Sequence, residues 1–149
     1  MNKKAGFTLI ELLVVIGILA ILLAITLIAI NPARQFGQAN NTRRRSDVLQ
    51  ILNAIHQYSA EHNGQLPADI LALVADTPTE ISTAGLDVCT ELMNDYLPAL
   101  PTDPSLDIPA ITDCTVAYTT GYLVTRDAAN RITVTAATTD NSESISVTR

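Results

Sequence analysis

The residues Lys3-Lys4-Ala5-Gly6-Phe7-Thr8-Leu9-Ile10-Glu11-Leu12 lead into Leu12 to Ile30, an uncharged run of 19 residues built almost wholly from Leu, Ile, Val and Ala. As a helix such a run rises about 28 Å, close to the thickness of a bilayer hydrocarbon core. It is longer than the apolar region of a cleaved secretory signal, and no small-x-small cleavage site follows it. Glu11 does not suit a plain anchor. A carboxylate in apolar surroundings costs on the order of several kcal/mol unless it is paired or snorkels to the headgroups. The cations within reach along the sequence are Lys3, Lys4 and any new amino terminus that cleavage would create.

A short basic leader ending in Gly6, then Phe7, then Glu11 four residues on and an apolar run closely resembles the processing site of type IV pilins and pseudopilins. The resemblance implies cleavage after Gly6 by a membrane-embedded prepilin peptidase and N-methylation of Phe7. It implies an assembly role for Glu11, with its carboxylate near the new amino terminus of a neighbouring copy. The expected protein is a structural filament subunit and not an enzyme, polymerised through its N-terminal helix for motility, adhesion, DNA uptake or protein secretion. Its expected partners are copies of itself, prepilin peptidase, an inner-membrane assembly platform and minor pilins. The expected location is a single-pass membrane precursor with a cytoplasmic N-terminus and an extracytoplasmic head, then a cell-surface or periplasmic filament. Charge counting alone opposes that orientation, because Arg34 and Arg43 to Arg45 follow the span. A monomeric membrane-anchored extracytoplasmic binding protein and a secreted domain released near Asn31 are the competing readings.

Asn31-Pro32 after the span suits a helix that bends or restarts, with Asn31 as N-cap and Pro32 at the first position. From Ser46 to His62, Val48, Leu49, Ile51, Leu52, Ile55, Tyr58 and Ser59 recur at spacings of three and four on one face, with Asp47, Gln50, Asn53, Gln57 and Glu61 mostly elsewhere. Gly64 then stops the helix and Pro67 follows. The Tyr58 to Pro67 stretch also resembles the end of the long helix in pseudopilin-like members. Short helices are expected within Leu66–Val74 and Asp87–Leu97, and irregular chain over Leu97–Pro104. Strands are expected over Thr115–Thr125, Ile132–Ala136 and Ser144–Val147, with a turn at Asp127–Asn130. The fold class is α+β and pilin-like: a long N-terminal helix, transmembrane in its first half and amphipathic in its second, packed on a small antiparallel sheet. The organisation reads as leader 1–6, span 7–30, second helical half 31–64 and acidic head 65–149.

Beyond Ser46 there are 14 acidic and 3 basic residues, a balance of −11, which repels phosphates and argues against nucleic-acid contact by the head. Arg43-Arg44-Arg45 reads as a solvated helix face that pairs with the acidic domain of a neighbouring copy. The Asn40-Asn41-Thr42 sequon carries little weight inside a helix. Asp95, Asp103, Asp107 and Asp113 match no calcium-loop spacing and read as solvated surface carboxylates. His56 and His62 are six apart and share no helix face. No metal, cofactor or catalytic residue is assigned. Cys89 and Cys114 form a disulfide if the head is extracytoplasmic, and are buried thiols otherwise.

Overall fold

A computed structural model describes residues 6–93 and 95–149; Lys3 and Lys4 lie outside the described residues. The chain divides into two compact units, Met1–Phe36 and Gly37–Arg149.

In the first unit, helix α1 spans Leu9–Ile30 and buries none of its 22 residues. Among the described residues it is the one helix long and apolar enough to cross a membrane. Thr26 satisfies its hydroxyl internally by donating to the Leu23 carbonyl at 2.9 Å. The helix stops at Asn31, whose φ of 48° and ψ of 77° are left-handed. Pro32, without an N–H, cannot continue the hydrogen-bond ladder, and Asn is one of the few residues that tolerates this conformation. The Asn31 carbonyl and side-chain oxygen both accept from the Arg34 N–H, at 3.1 and 3.4 Å, so α2 (Pro32–Glu61) restarts with Asn31 as its cap.

In the second unit, α2 lays Val48, Ile51, Leu52, Ala54 and Ile55 into a core shared with the sheet. The helix closes where the Gly64 N–H reaches the Ser59 carbonyl at 2.8 Å. The left-handed residue that ends it is Asn63 (φ 56°), with Gly64 (φ 86°) following. Helices α3 (Ala68–Leu71) and α4 (Cys89–Leu92) fall within their expected stretches, and a short 3₁₀ turn occupies Pro104–Leu106. Strands β1 (Thr79–Ser82), β2 (Thr119–Arg126), β3 (Ile132–Ala136) and β4 (Ser146–Thr148) form one antiparallel sheet in the order β1-β2-β3-β4. Along β2, Thr120, Tyr122 and Val124 point into the core, and along β3 so do Ile132, Val134 and Ala136.

Some expectations need correcting. Strand β1 is not among the predicted strands. Strand β2 starts four residues later than predicted, because Asp113 folds the chain back by accepting from the Thr115 N–H at 2.8 Å. Leu49 is 40% exposed, since it lies about 100° round the helix from Val48, off the buried stripe. Asp47 is buried, not outward-facing, because the Tyr122 hydroxyl donates to it at 2.7 Å.

Candidate functional site

At the N-terminal site, Gly6 is exposed and Phe7 is 82% exposed, directly before α1. Thr8 is the N-cap and Glu11 occupies the third helical position. The Glu11 carboxylate accepts from the Thr8 N–H at 2.8 Å and from the Thr8 hydroxyl at 2.7 Å, and the Thr8 hydroxyl accepts from the Glu11 N–H at 3.3 Å. This reciprocal capping box satisfies orphan donors at the helix start and sets a negative charge where the helix dipole favours one. The processing motif by itself gives Thr8 no role beside Gly6, Phe7 and Glu11, although Thr-x-x-Glu before an apolar run is the spacing of such a box. Glu11 forms no ion pair among the described residues, so its charge is held by hydrogen bonds within its own chain. The surface that follows is the unburied face of α1, which offers apolar contact in every direction.

In the head, Cys89 and Cys114 are joined by a disulfide with Cα atoms 5.5 Å apart, and the Met93 sulfur lies 3.4 and 3.5 Å from the two sulfurs. The bond ties α4 to the exposed segment that precedes β2.

The arginine triplet is not a solvated face. Arg44 is 2% exposed, and its guanidinium forms a fork on Asp103 at 2.8 and 2.9 Å. It also reaches Asp140 at 2.6 Å and Asn41 at 2.9 Å. Arg45 pairs with Glu143, and Arg43 lies 3.8 Å from Asp47. The partners belong to the same chain, where a neighbouring copy was expected to supply them. The Asp103 carboxylate, expected at the surface, is 1% exposed. Burial pushes its carboxyl up, but Arg44 and two bonds from Ser105 outweigh that and hold it down at about 2. Around this cluster the loop after β3 fastens to α2. Asn41 donates to the Asp140 carbonyl at 2.8 Å and accepts from the Asp140 N–H at 3.0 Å. Gly37 leaves room for the loop, since a Cβ there would stand 2.9 Å from Asp140 and Asn141 side-chain atoms. Asn40, the sequon residue, points its amide at Asp140, 3.4 Å away.

Residues 1–27 match the family model described as the prokaryotic N-terminal methylation motif. No curated protein and no solved structure matches the chain. The match covers Gly6, Phe7, Thr8, Glu11 and most of α1. An unburied apolar helix of this kind fits a membrane-anchored precursor, and the motif is that of a prepilin peptidase substrate. Residues 1–27 thus carry the N-terminal methylation motif that marks type IV pilins and pseudopilins, and the long apolar helix continued by α2 with a four-stranded antiparallel sheet is a pilin-like α+β fold.

Proposed function

We propose that the chain is a structural subunit of a type IV pilus or pseudopilus filament. Prepilin peptidase cleaves it after Gly6, Phe7 is N-methylated, and the subunit polymerises through Phe7–Ile30. The observation that carries this reading is a single carboxylate, Glu11, at the head of a 22-residue helix that buries nothing against its own chain. Cleavage frees a primary amine on Phe7 and N-methylation turns it into a cationic secondary amine, beside Thr8 and four residues from Glu11. In an apolar medium a neighbour's amine supplies the countercharge that Thr8 cannot, and such a pair offsets part of the cost of burying both charges. Helices leaving lipid for one another gain little hydrophobic energy, so close packing and that pair set the register.

The orientation follows the processing motif, with the N-terminus cytoplasmic and the head outside. The arginines that oppose it by charge count are in part accounted for: Arg43, Arg44 and Arg45 stand beside carboxylates of their own head. An assembly platform and minor pilins complete the partner set.

Glu11→Gln tests the reading. It keeps the side chain's size and most of its hydrogen-bonding capacity while removing the charge. Membrane insertion should persist and filament yield should fall about tenfold or more, equivalent to roughly 1.4 kcal/mol per subunit contact. Wild-type filament yield from Glu11→Gln would refute the assembly role.

A further inference from the structure

The unit Gly37–Arg149 carries 14 acidic side chains against six arginines and no lysine, a net charge of −8. Its arginines are engaged within the head. Arg44 holds Asp103 and Asp140, Arg45 holds Glu143, and Arg131 holds Asp127. Arg43 sits beside Asp47. Arg126 donates to the Leu73 carbonyl and to Asn130, and Arg149 donates to Asn53.

The acids are treated differently. Glu61, Asp69, Asp87, Glu91 and Asp95 form no ion pair among the described residues, and they gather around the end of α2. Burial raises the Glu91 carboxyl, and Asp69 and Asp87 add to this, against the lowering by a backbone bond from Ala68 and by the nearby His62. Burial and then Glu61 and Asp95 push the Tyr96 hydroxyl up to about 12. The head's arginines are thus matched internally, while these acids add unmatched negative charge.

We propose that the heads of neighbouring copies repel one another, with no pairs between the arginines of one head and the carboxylates of the next, and that the filament is held by α1 against this repulsion. The inference rests on the filament reading above. A domain of this size is about 30 Å across. At about 10 mM salt the screening length is about 30 Å, so each head's charge reaches its whole neighbour; at about 150 mM it is about 8 Å and the repulsion is largely screened. Filament stability should therefore rise with ionic strength over this range, opposite to an assembly stitched by surface salt bridges.

The test uses filaments sheared from cells or released with the periplasm, moved into about 10, 50 and 150 mM NaCl and heated, with the pelletable fraction read at each temperature. A parallel set carries Asp69→Asn with Asp95→Asn, two exposed positions that form no ion pair among the described residues. For the wild type, the disassembly temperature should rise with salt. The double variant should be more stable than wild type at the lowest salt and show a flatter salt response, which separates charge repulsion from general salting-out. A disassembly temperature that falls with salt, or a salt response unchanged in the double variant, would overturn the inference while leaving the filament reading intact. Absence of pelletable filaments at every salt would remove the filament reading and this inference with it.

Discussion

Replacing Arg44 by methionine keeps the bulk of the side chain and deletes the guanidinium. Four hydrogen bonds go with it: two to Asp103, one to Asp140 and one to Asn41. Asp140 is 40% exposed and can turn to water, but Asp103 is 1% exposed and would remain a buried carboxylate with Ser105 as its donor. Removing one partner of a buried pair typically costs about 3–5 kcal/mol, much of it from the charge left behind. A domain stability of about 5–15 kcal/mol makes that a large fraction of the total. The chain's four tyrosines all lie in Gly37–Arg149 and it has no tryptophan, so the near-ultraviolet signal of the detergent-solubilised full chain reports on the head alone.

The acid response should also change sign. In the wild type, Asp103 is held at about 2 against an ordinary 3.8, so its stabilisation is present above pH 4 and is lost as pH falls towards 2. In Arg44→Met the unpaired buried carboxyl titrates above its ordinary value, so lowering pH protonates it and recovers stability. Adding Asp103→Leu should recover part of the loss at neutral pH. A cost below about 1 kcal/mol, or an acid response identical to wild type, would refute a buried pair that holds the loops to α2.

Two further outcomes follow from the same unit. Cys89→Ser with Cys114→Ser opens a loop with a sequence separation of 25 and should destabilise the head by about 3.5 kcal/mol on the loop-entropy account. Alkylation of both thiols in folded, unreduced wild-type protein would contradict the bond itself. Tyr122→Phe removes the 2.7 Å bond to the buried Asp47 carboxylate and should cost about 1.5–3 kcal/mol at neutral pH. Burial already raises the Asp47 carboxyl, so the cost should shrink as pH falls and that group protonates. A cost independent of pH would count against the assignment.

The parts of this molecule legible in its sequence are those set by local rules. The apolar run, the Asn31-Pro32 restart and the closure before Gly64 depend on neighbours in the chain, and they stand as read. Strand β1 escaped because Thr79–Ser82 is four residues long and gains its identity from β2, about forty residues away. The role of Arg44 escaped for a related reason. Its acids lie 59 and 96 residues further along, and three consecutive arginines resemble a solvated face. A signal was nonetheless present. Extending the buried stripe backwards from Ile55, Leu52, Ile51 and Val48 in steps of three and four lands on Arg44, Asn41 and Gly37, each of which is buried. The Thr8–Glu11 box is likewise present in the spacing of Thr8 and Glu11, although the Glu11 charge also fits an assembly role on its own.

The functional assignment stands on prepilin processing at Gly6, which can be read from the N-terminal peptide of the protein isolated from its native host. Beyond Lys4 the first basic residue is Arg34, so trypsin should release one long N-terminal fragment. With processing at Gly6 the fragment is Phe7–Arg34 carrying one extra methyl group on its amine. A fragment beginning at Ala5, the product of an uncleaved leader, or a mature terminus beyond Ile30, would contradict it.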